Sequence, residues 1–396
     1  MPQDNTLKLT LAGDLCLRDL SGQFSKEELQ RLFQAVRPVL DDADVRLVNL
    51  EHPLIEQGAP SKKSGVNLKG QPGDIAFLQE GRFDCAILAN NHMGDFGPSG
   101  VLRTLSLLEE QGIGYCGSGR NLADSYKPWF VERNQVSLAV LAVAENEFGG
   151  AGDDTPGMAA LQLGRLLDAI EAARQKARFV LVVVHGGHEH NPVPSPGVVE
   201  RYRLICRSGA DAVIGMHPHC PQGFEIYRGC PIIYSTGNFL FHNSHIDDAC
   251  SSWYYGYLPQ LTFSPDTGVS LAVTPYRFTP DCRSITPFSG AEKQAMLAYL
   301  AEISRPLQDP RQLADCFKGW CMITGPAHLR LLQFQPAFLE DPAFAEKYEL
   351  LVMRNLLTCE AHHELLATLL RMIEKRELDF GRQMAEKIKE LQRMPV

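Results

Sequence analysis

The sequence predicts an α/β fold, because short apolar strand segments alternate with helical segments from residue 7 to about residue 240. Most of these strands read as continuous apolar runs, which suits strands covered on both faces. Polar residues gather immediately after the runs, where ligands sit in such cores. The chain has 396 residues, 44% of them apolar and 21% charged, enough for one large domain with an appendage.

Taken in order, the strand segments fall at 7–12, 44–49, 83–89, 136–144, 178–184, 211–215, 223–227 and 231–235. Helix starts are written between them. Ser25 with Glu28 forms a capping box, and Pro98 and the Ser195-Pro196 pair suit first helical turns. Gly209 stops the helix over 197–208. From about 245 to 280 an aromatic stretch with Trp253, Tyr254 and Tyr255 leads into strands at 258–263 and 269–275. After residue 289 the pattern is helical, at 290–303, about 342–375 and 379–393. This divides the chain into a domain over 1–288 and a helical extension over 289–396, which packs on the core or makes a homodimer contact.

The net charge of −9 and the scattered Lys and Arg exclude a nucleic-acid binder, which needs a basic stripe. The first residues lack the basic start and apolar stretch of a signal peptide, and no run approaches the ~18 apolar residues of a membrane span. A cytoplasmic protein with no direct membrane span is expected. The eleven cysteines are odd in number, without a CxxC pair, and often sit in apolar strands, so buried reduced thiols are expected. Only Cys316 and Cys321 are close enough in sequence to invite a pairing.

Five strand ends carry chemistry. Asp14 follows the first strand, Glu51 the second and Asn91-His92 the third, and His185, His217 and His219 follow two later ones. Each has a plainer reading: an Asp or Asn at a strand end builds turns, and a lone His is commonly a satisfied polar residue. Together they are the residue types of a hydrolytic dinuclear metal site, where two divalent ions about 3.5 to 4 Å apart share a hydroxide and clamp anionic oxygens. In that reading Asp14 and His219 hold one ion, Asn91, His185 and His217 the other, and Glu51 bridges. His92, beside a ligand, faces the substrate as general acid or as a donor to the developing charge. The mixed N and O donors suit one or two ions of manganese, iron or zinc better than calcium.

In sequence order, Gly13-Asp14-Leu15, Asn49-Leu50-Glu51-His52-Pro53, Asn90-Asn91-His92-Met93-Gly94-Asp95, His185-Gly186-Gly187-His188-Glu189, Gly215-Met216-His217-Pro218-His219 and Ser235-Thr236-Gly237-Asn238 resemble the successive motifs of the CapA family, the poly-gamma-glutamate capsule biosynthesis proteins. The resemblance covers roughly residues 7 to 275. It implies a calcineurin-like metallophosphoesterase fold, a four-layer α/β sandwich with a dinuclear metal edge, followed here by a C-terminal helical subdomain. By the same resemblance Asp14, Glu51, Asn91, His185, His217 and His219 fall on metal positions and His92 on the catalytic histidine, with Asp95 joining it as a catalytic partner. Glu189 and Asn238 match substrate or supporting positions, and Lys63 in the 57–73 loop is an ammonium for an anionic substrate.

One position departs from the pattern. Dinuclear phosphoesterases generally begin Asp-x-His, and the histidine position here is Cys16. The resemblance therefore implies a metal-dependent hydrolase of phosphoesterase type acting on an anionic small molecule or polymer. The alternative is a noncatalytic metal-binding accessory of a polymer-synthesis complex. Trp253, Tyr254 and Tyr255, with His242 and His245, form a wall of the cleft or simply pack.

Overall fold

The computed structural model describes residues 5–246, 248–332, 340, 343–344 and 347–396. The first half runs β1 (Leu7–Cys16), α1 (Lys26–Gln34), α2 (Arg37–Asp41), β2 (Val45–Leu50), α3 (Ile75–Glu80), β3 (Cys85–Ile87), α4 (Gly97–Glu110) and β4 (Gly114–Cys116). It continues through β5 (Ser118–Gly119), α5 (Leu122–Ser125), β6 (Trp129–Arg133), β7 (Val136–Ala144), β8 (Gly157–Met158), α6 (Leu163–Arg174) and β9 (Phe179–His185). Then come α7 (Pro196–Arg207), β10 (Ala212–Met216), β11 (Phe224–Tyr227), β12 (Cys230–Ile233), β13 (Asn238–Phe241), β14 (Tyr255–Ser264), β15 (Gly268–Phe278) and β16 (Ile285–Pro287).

Two sheets organise all of these strands except β5 and β8, which pair with each other. One has the order β16-β15-β14-β1-β2-β3-β4, with β13 added beside β1, and the other the order β11-β12-β10-β9-β7-β6. In the first, β1, β2, β3 and β4 are parallel; in the second, β7, β9, β10 and β12 are. The two sheets pack face to face, as where the Phe179 and Phe263 rings meet at 5.4 Å, and helices cover the outer faces. Phe33 of α1 lies against Phe77, Phe83 and Phe239, while α6 and α7 lie on the second sheet. The result is a four-layer α/β sandwich. Val180 to Val184 and Val213 to Ile214 are wholly buried, which explains why both strands read as unbroken apolar runs.

The expected helix signals form. Glu28 N donates to Ser25 Oγ at 3.2 Å and Ser25 N to Glu28 Oε2 at 2.7 Å, closing the capping box. Pro98 lies in the first turn of α4, Ser195 caps α7 through Val198 N, and Gly209 follows α7 with φ +110. The short edge strands β4 and β6 carry too little apolar pattern to be anticipated.

Among the described residues five helices follow the sheets: α8 (Gly290–Ser304), α9 (Pro310–Leu331), α10 (Tyr348–Thr358), α11 (Glu360–Glu374) and α12 (Leu378–Leu391), the last packed against α9. The 22-residue α9 was not expected; its Pro, Gly and Cys residues mask the helical period. The helix expected over 342–375 is two helices that turn at Cys359, with residues 342, 345 and 346 outside the described residues. No described helix is long and apolar enough to cross a membrane.

Expectation and structure differ over the thiols. Cys206 and Cys230 are joined as a disulfide, with Cα atoms 6.3 Å apart. Parallel pairing of β10 with β12 brings the end of α7 beside the start of β12, a proximity that a separation of 24 residues conceals. Cys316 and Cys321 are buried, separate thiols on α9.

Candidate metal centre

Parallel pairing carries five strand ends to one edge. β1 and β13 match Asp14 with Asn238, and β2 delivers Glu51 one residue beyond its last residue, Leu50. β9 ends at His185, and β10 ends at Met216, immediately before His217. Close approach is possible because residue 13 is glycine: a Cβ there would lie 1.9 Å from Gly237 O. His217 and His219 adopt φ +97 and φ +54, left-handed conformations that cost side chains energy and concentrate at functional sites.

The side chains form two overlapping groups whose ligand atoms lie within 4.8 Å of one another: Asp14 with Glu51 and His185, and Glu51 with His217 and His219. His185 Nε2 stands 3.1 Å from His217 Nδ1, 3.2 Å from Asn91 Oδ1 and 3.7 Å from Glu51 Oε1. His219 Nδ1 is 3.4 Å from Asp14 Oδ2, and its Nε2 is 3.5 Å from Glu51 Oε1. Glu51 is common to both groups: Asp14 and His185 share one with it, His217 and His219 the other, and Asn91 reaches the cluster through His185. Cys16 belongs to neither group; it is a buried thiol whose pKa is pushed well up by burial and by Glu51.

Electrostatics mark this as a place made for cations. Glu51 is wholly buried and its Oε1 has no hydrogen-bond donor. Burial, then the charge of Asp14, raises the Glu51 pKa well above the ordinary value. His185 is driven far toward neutrality by burial and by its histidine neighbours. At His219 burial opposes charge, but Glu51 and Asp14 outweigh it and raise its pKa to about 10. His219 Nδ1 lies 2.8 Å from Asn238 Oδ1, so an Nδ1–H donated there turns the Nε2 lone pair toward Glu51 Oε1. Two electron-rich atoms facing each other in a buried site need a proton or a metal ion between them. The orphaned Glu51 oxygen and the imidazole, carboxylate and amide donors fit a divalent transition metal.

Beside this cluster lies a second constellation. His92 Nδ1 is 2.7 Å from Asp95 Oδ2, a geometry that directs Nε2 away from the carboxylate. Lys63 ion-pairs with Asp95 and lies 3.2 Å from His92 Nδ1 and 3.3 Å from Asn91 O, so its ammonium belongs to the site and not to the loop surface. Burial and the Lys63 charge lower the His92 pKa against the pull of Asp95; burial also lowers that of Lys63. Asp95 is itself wholly buried and accepts from Leu68 N at 2.6 Å.

Other expected residues occupy differing places. Glu189 is exposed at the rim, where His217 and His219 overcome desolvation to hold its carboxyl below the usual range. Asn238 sits behind His219, wholly buried, with its amide nitrogen donating to Trp253 O at 3.0 Å. Trp253 packs on the His219 ring at 4.8 Å, forming a wall behind the cluster. Asn90 builds the turn before Asn91, accepting from Met93 N at 2.9 Å.

Sequence reasoning missed Asn49, which donates to Asp14 Oδ1 at 2.7 Å and lies 3.3 Å from His185 Nδ1. The signal was present: a polar residue two before Glu51 on a parallel strand points to the same side. It also missed Glu145 and Glu147, whose carboxylates line the cleft with Asn91, His185 and His217. Glu145 carried the same signal as the others, since it directly follows the apolar strand β7, while Glu147 lies two residues farther into the loop.

The bacterial capsule synthesis protein PGA_cap family model matches residues 8–243. A capsule biosynthesis protein CapA from Bacillus anthracis is 30% identical over 253 residues, 60% of this chain and 61% of that protein. A probable polyglutamine synthesis accessory protein from Mycobacterium tuberculosis is 29% identical over 210 residues, 50% of this chain and 55% of that protein. The chain thus spans about three fifths of the length of the curated relatives it matches. Among solved structures, a phosphatase from Mycoplasma pneumoniae aligns with TM-score 0.44 and 11% identity, over 68% of this chain and 93% of that one. A 5'-nucleotidase from Staphylococcus aureus, described as putative in its own name, aligns with TM-score 0.42 and 12% identity, over 75% of this chain and 58% of that one. With its strand-end motifs inside the matched segment, the chain belongs to the PGA_cap family of bacterial capsule synthesis proteins.

Proposed function

We propose that the chain is a metal-dependent hydrolase of phosphoesterase type, acting on an anionic substrate related to capsule or poly-gamma-glutamate synthesis. The observation that carries this reading is the pair of ligand groups sharing the donorless Glu51 Oε1, set beside the His92–Asp95 pair. Asp14 and His219 hold one divalent ion, Asn91, His185 and His217 the other, and Glu51 contributes to both. Bound ions of manganese, iron or zinc supply an activated hydroxide and neutralise anionic oxygens.

The chain's own residues do the rest. Asn49 and Asn238 orient Asp14 and His219 by hydrogen bonds, as supports behind metal ligands do. Asp95 accepts from His92 Nδ1–H and fixes the tautomer, leaving Nε2 to handle the leaving group's proton. Lys63, drawn into the site by Asp95, contributes positive charge toward an anionic substrate. Glu189 at the rim selects among substrates by their own charge. The names of the Bacillus and Mycobacterium relatives support a substrate connected with capsule polymer.

Metal analysis of the purified chain, with hydrolysis measured across phosphoester and peptide-amide substrates, tests the reading. Metal-stimulated turnover that is lost in Glu51→Gln together with bound metal is expected. A chain that carries metal yet hydrolyses nothing would instead favour a noncatalytic accessory role, to which Cys16 at a ligand position lends weight. The helical extension over 289–396 is proposed as a homodimer contact, supported by exposed Leu357, Leu370, Ile373 and Phe380. Sedimentation of the full chain reads that directly.

A further inference from the structure

Outside the strand-end cluster, Glu147, Cys359 and His362 also bring ligand atoms within 4.8 Å of one another. They come from two parts of the chain. Glu147 lies in the loop after β7, on the wall of the cleft with Asn91, His185 and His217. Cys359 is the residue at which α10 turns into α11, and His362 lies three residues on, which puts the two on one face of the first turn. The matched family segment ends at residue 243, so two of the three residues, Cys359 and His362, lie beyond it.

The hydrogen-bond chain behind His362 fixes how its ring presents itself. His328 Nδ1 lies 3.0 Å from Thr324 O, so that nitrogen carries the proton and His328 Nε2 is an acceptor. His362 Nδ1, 3.3 Å from His328 Nε2, donates there. The Nε2 of a neutral His362 is then a bare lone pair, and it faces Glu147 Oε1 at 3.4 Å. Cys359 Sγ completes the group; it lies 3.7 Å from Glu145 Oε2. A lone pair aimed at a carboxylate oxygen needs a proton or a metal ion between them; burial disfavours the proton, and the Glu147 carboxylate outweighs it and raises the His362 pKa, so a proton and a metal compete for this position. One imidazole nitrogen, one carboxylate oxygen and one sulfur, with the far nitrogen of the imidazole anchored, is a borderline-soft set of the kind that zinc takes.

We propose that Glu147, Cys359 and His362 form a further metal site for zinc or a similar divalent transition ion, separate from the strand-end centre and shared between the core and the C-terminal helices. Binding releases the Cys359 thiol proton to solvent and forms bonds from Glu147 oxygen, Cys359 sulfur and His362 Nε2. No oxidation or reduction is involved. The ion ties α11 to the wall of the cleft, so its occupancy sets how firmly the C-terminal helices close over the strand-end residues.

Cobalt(II) added to the metal-free full chain is the probe, because thiolate ligation gives an intense near-ultraviolet charge-transfer band that nitrogen and oxygen ligands do not give. The band is expected in the native chain, in Cys16→Ser and in the His217→Ala/His219→Ala double variant. It is expected to vanish in Cys359→Ser and to weaken at least tenfold in apparent cobalt affinity in His362→Gln. Circular dichroism of each variant reports folding. No band in the folded native chain, or a band that survives Cys359→Ser, overturns the proposal; a band lost in Cys16→Ser overturns it by locating the thiolate at the strand-end centre. Persistence in the double histidine variant separates this site's failure from failure of the hydrolase reading.

Discussion

At the residue scale, His92 and Asn49 divide the labour between chemistry and support. Because His92 contacts Asp95 and Lys63 and belongs to neither ligand group, His92→Ala is expected to lower kcat about 10²- to 10⁴-fold while bound metal stays constant. Turnover assays paired with metal analysis check this. Asn49→Leu removes the donor to Asp14, and a drop in metal affinity of about 10- to 100-fold is expected in chelator competition. The candidate ligands were legible as polar residues ending apolar strands, and the structure brings them together. Asn49 carried only the weaker signal of a polar residue two before Glu51 on one strand, which marks its side of the sheet but not its role. The burial of Lys63 was not legible: nothing in the 57–73 loop tells that its ammonium turns inward to Asp95 while Lys62 stands next to it.

At the element scale, two contacts hold the site's walls. A methyl group at residue 13 would collide with Gly237 O, so Gly13→Ala forces β1 and β13 apart and is expected to cost about 1–3 kcal/mol or more in denaturant unfolding. The docking of α11 rests partly on His188, whose Nε2–H donates to Ala361 O at 2.9 Å with Phe317 against the ring. Burial and then the nearby His362 lower the His188 pKa to about 3. The sign follows: the unfolded imidazole gains a proton near pH 6.5 and the folded one resists it. This contribution is therefore whole above about pH 6.5 and lost as pH falls, at about 1.4 kcal/mol per pH unit. Hydrogen exchange of residues 360–374 should quicken on acidification in the native chain and less so in His188→Gln, which keeps a donor but does not titrate. The core strands were readable because burial on both faces writes an unbroken apolar run. The break at Cys359 was not, since one continuous apolar pattern spans α10 and α11.

On the scale of the whole molecule, alternation of strands and helices announced the α/β class, but pairing partners come from tertiary packing. The Cys206–Cys230 bond and the seating of α11 against His188 both follow from such long-range neighbours. The clearest case is β1, whose outer neighbours are β14 along Leu7–Thr10 and β13 along Asp14–Cys16. That arrangement sets a schedule for synthesis. During synthesis β1 keeps one side of its backbone unpaired until residues 238–264 emerge, and an open strand edge of that kind recruits other chains. A fragment ending at residue 243, where the family match stops, is expected to aggregate, while one reaching residue 288 stays dispersed in light scattering. A strand made early thus waits for two made more than two hundred residues later to complete it.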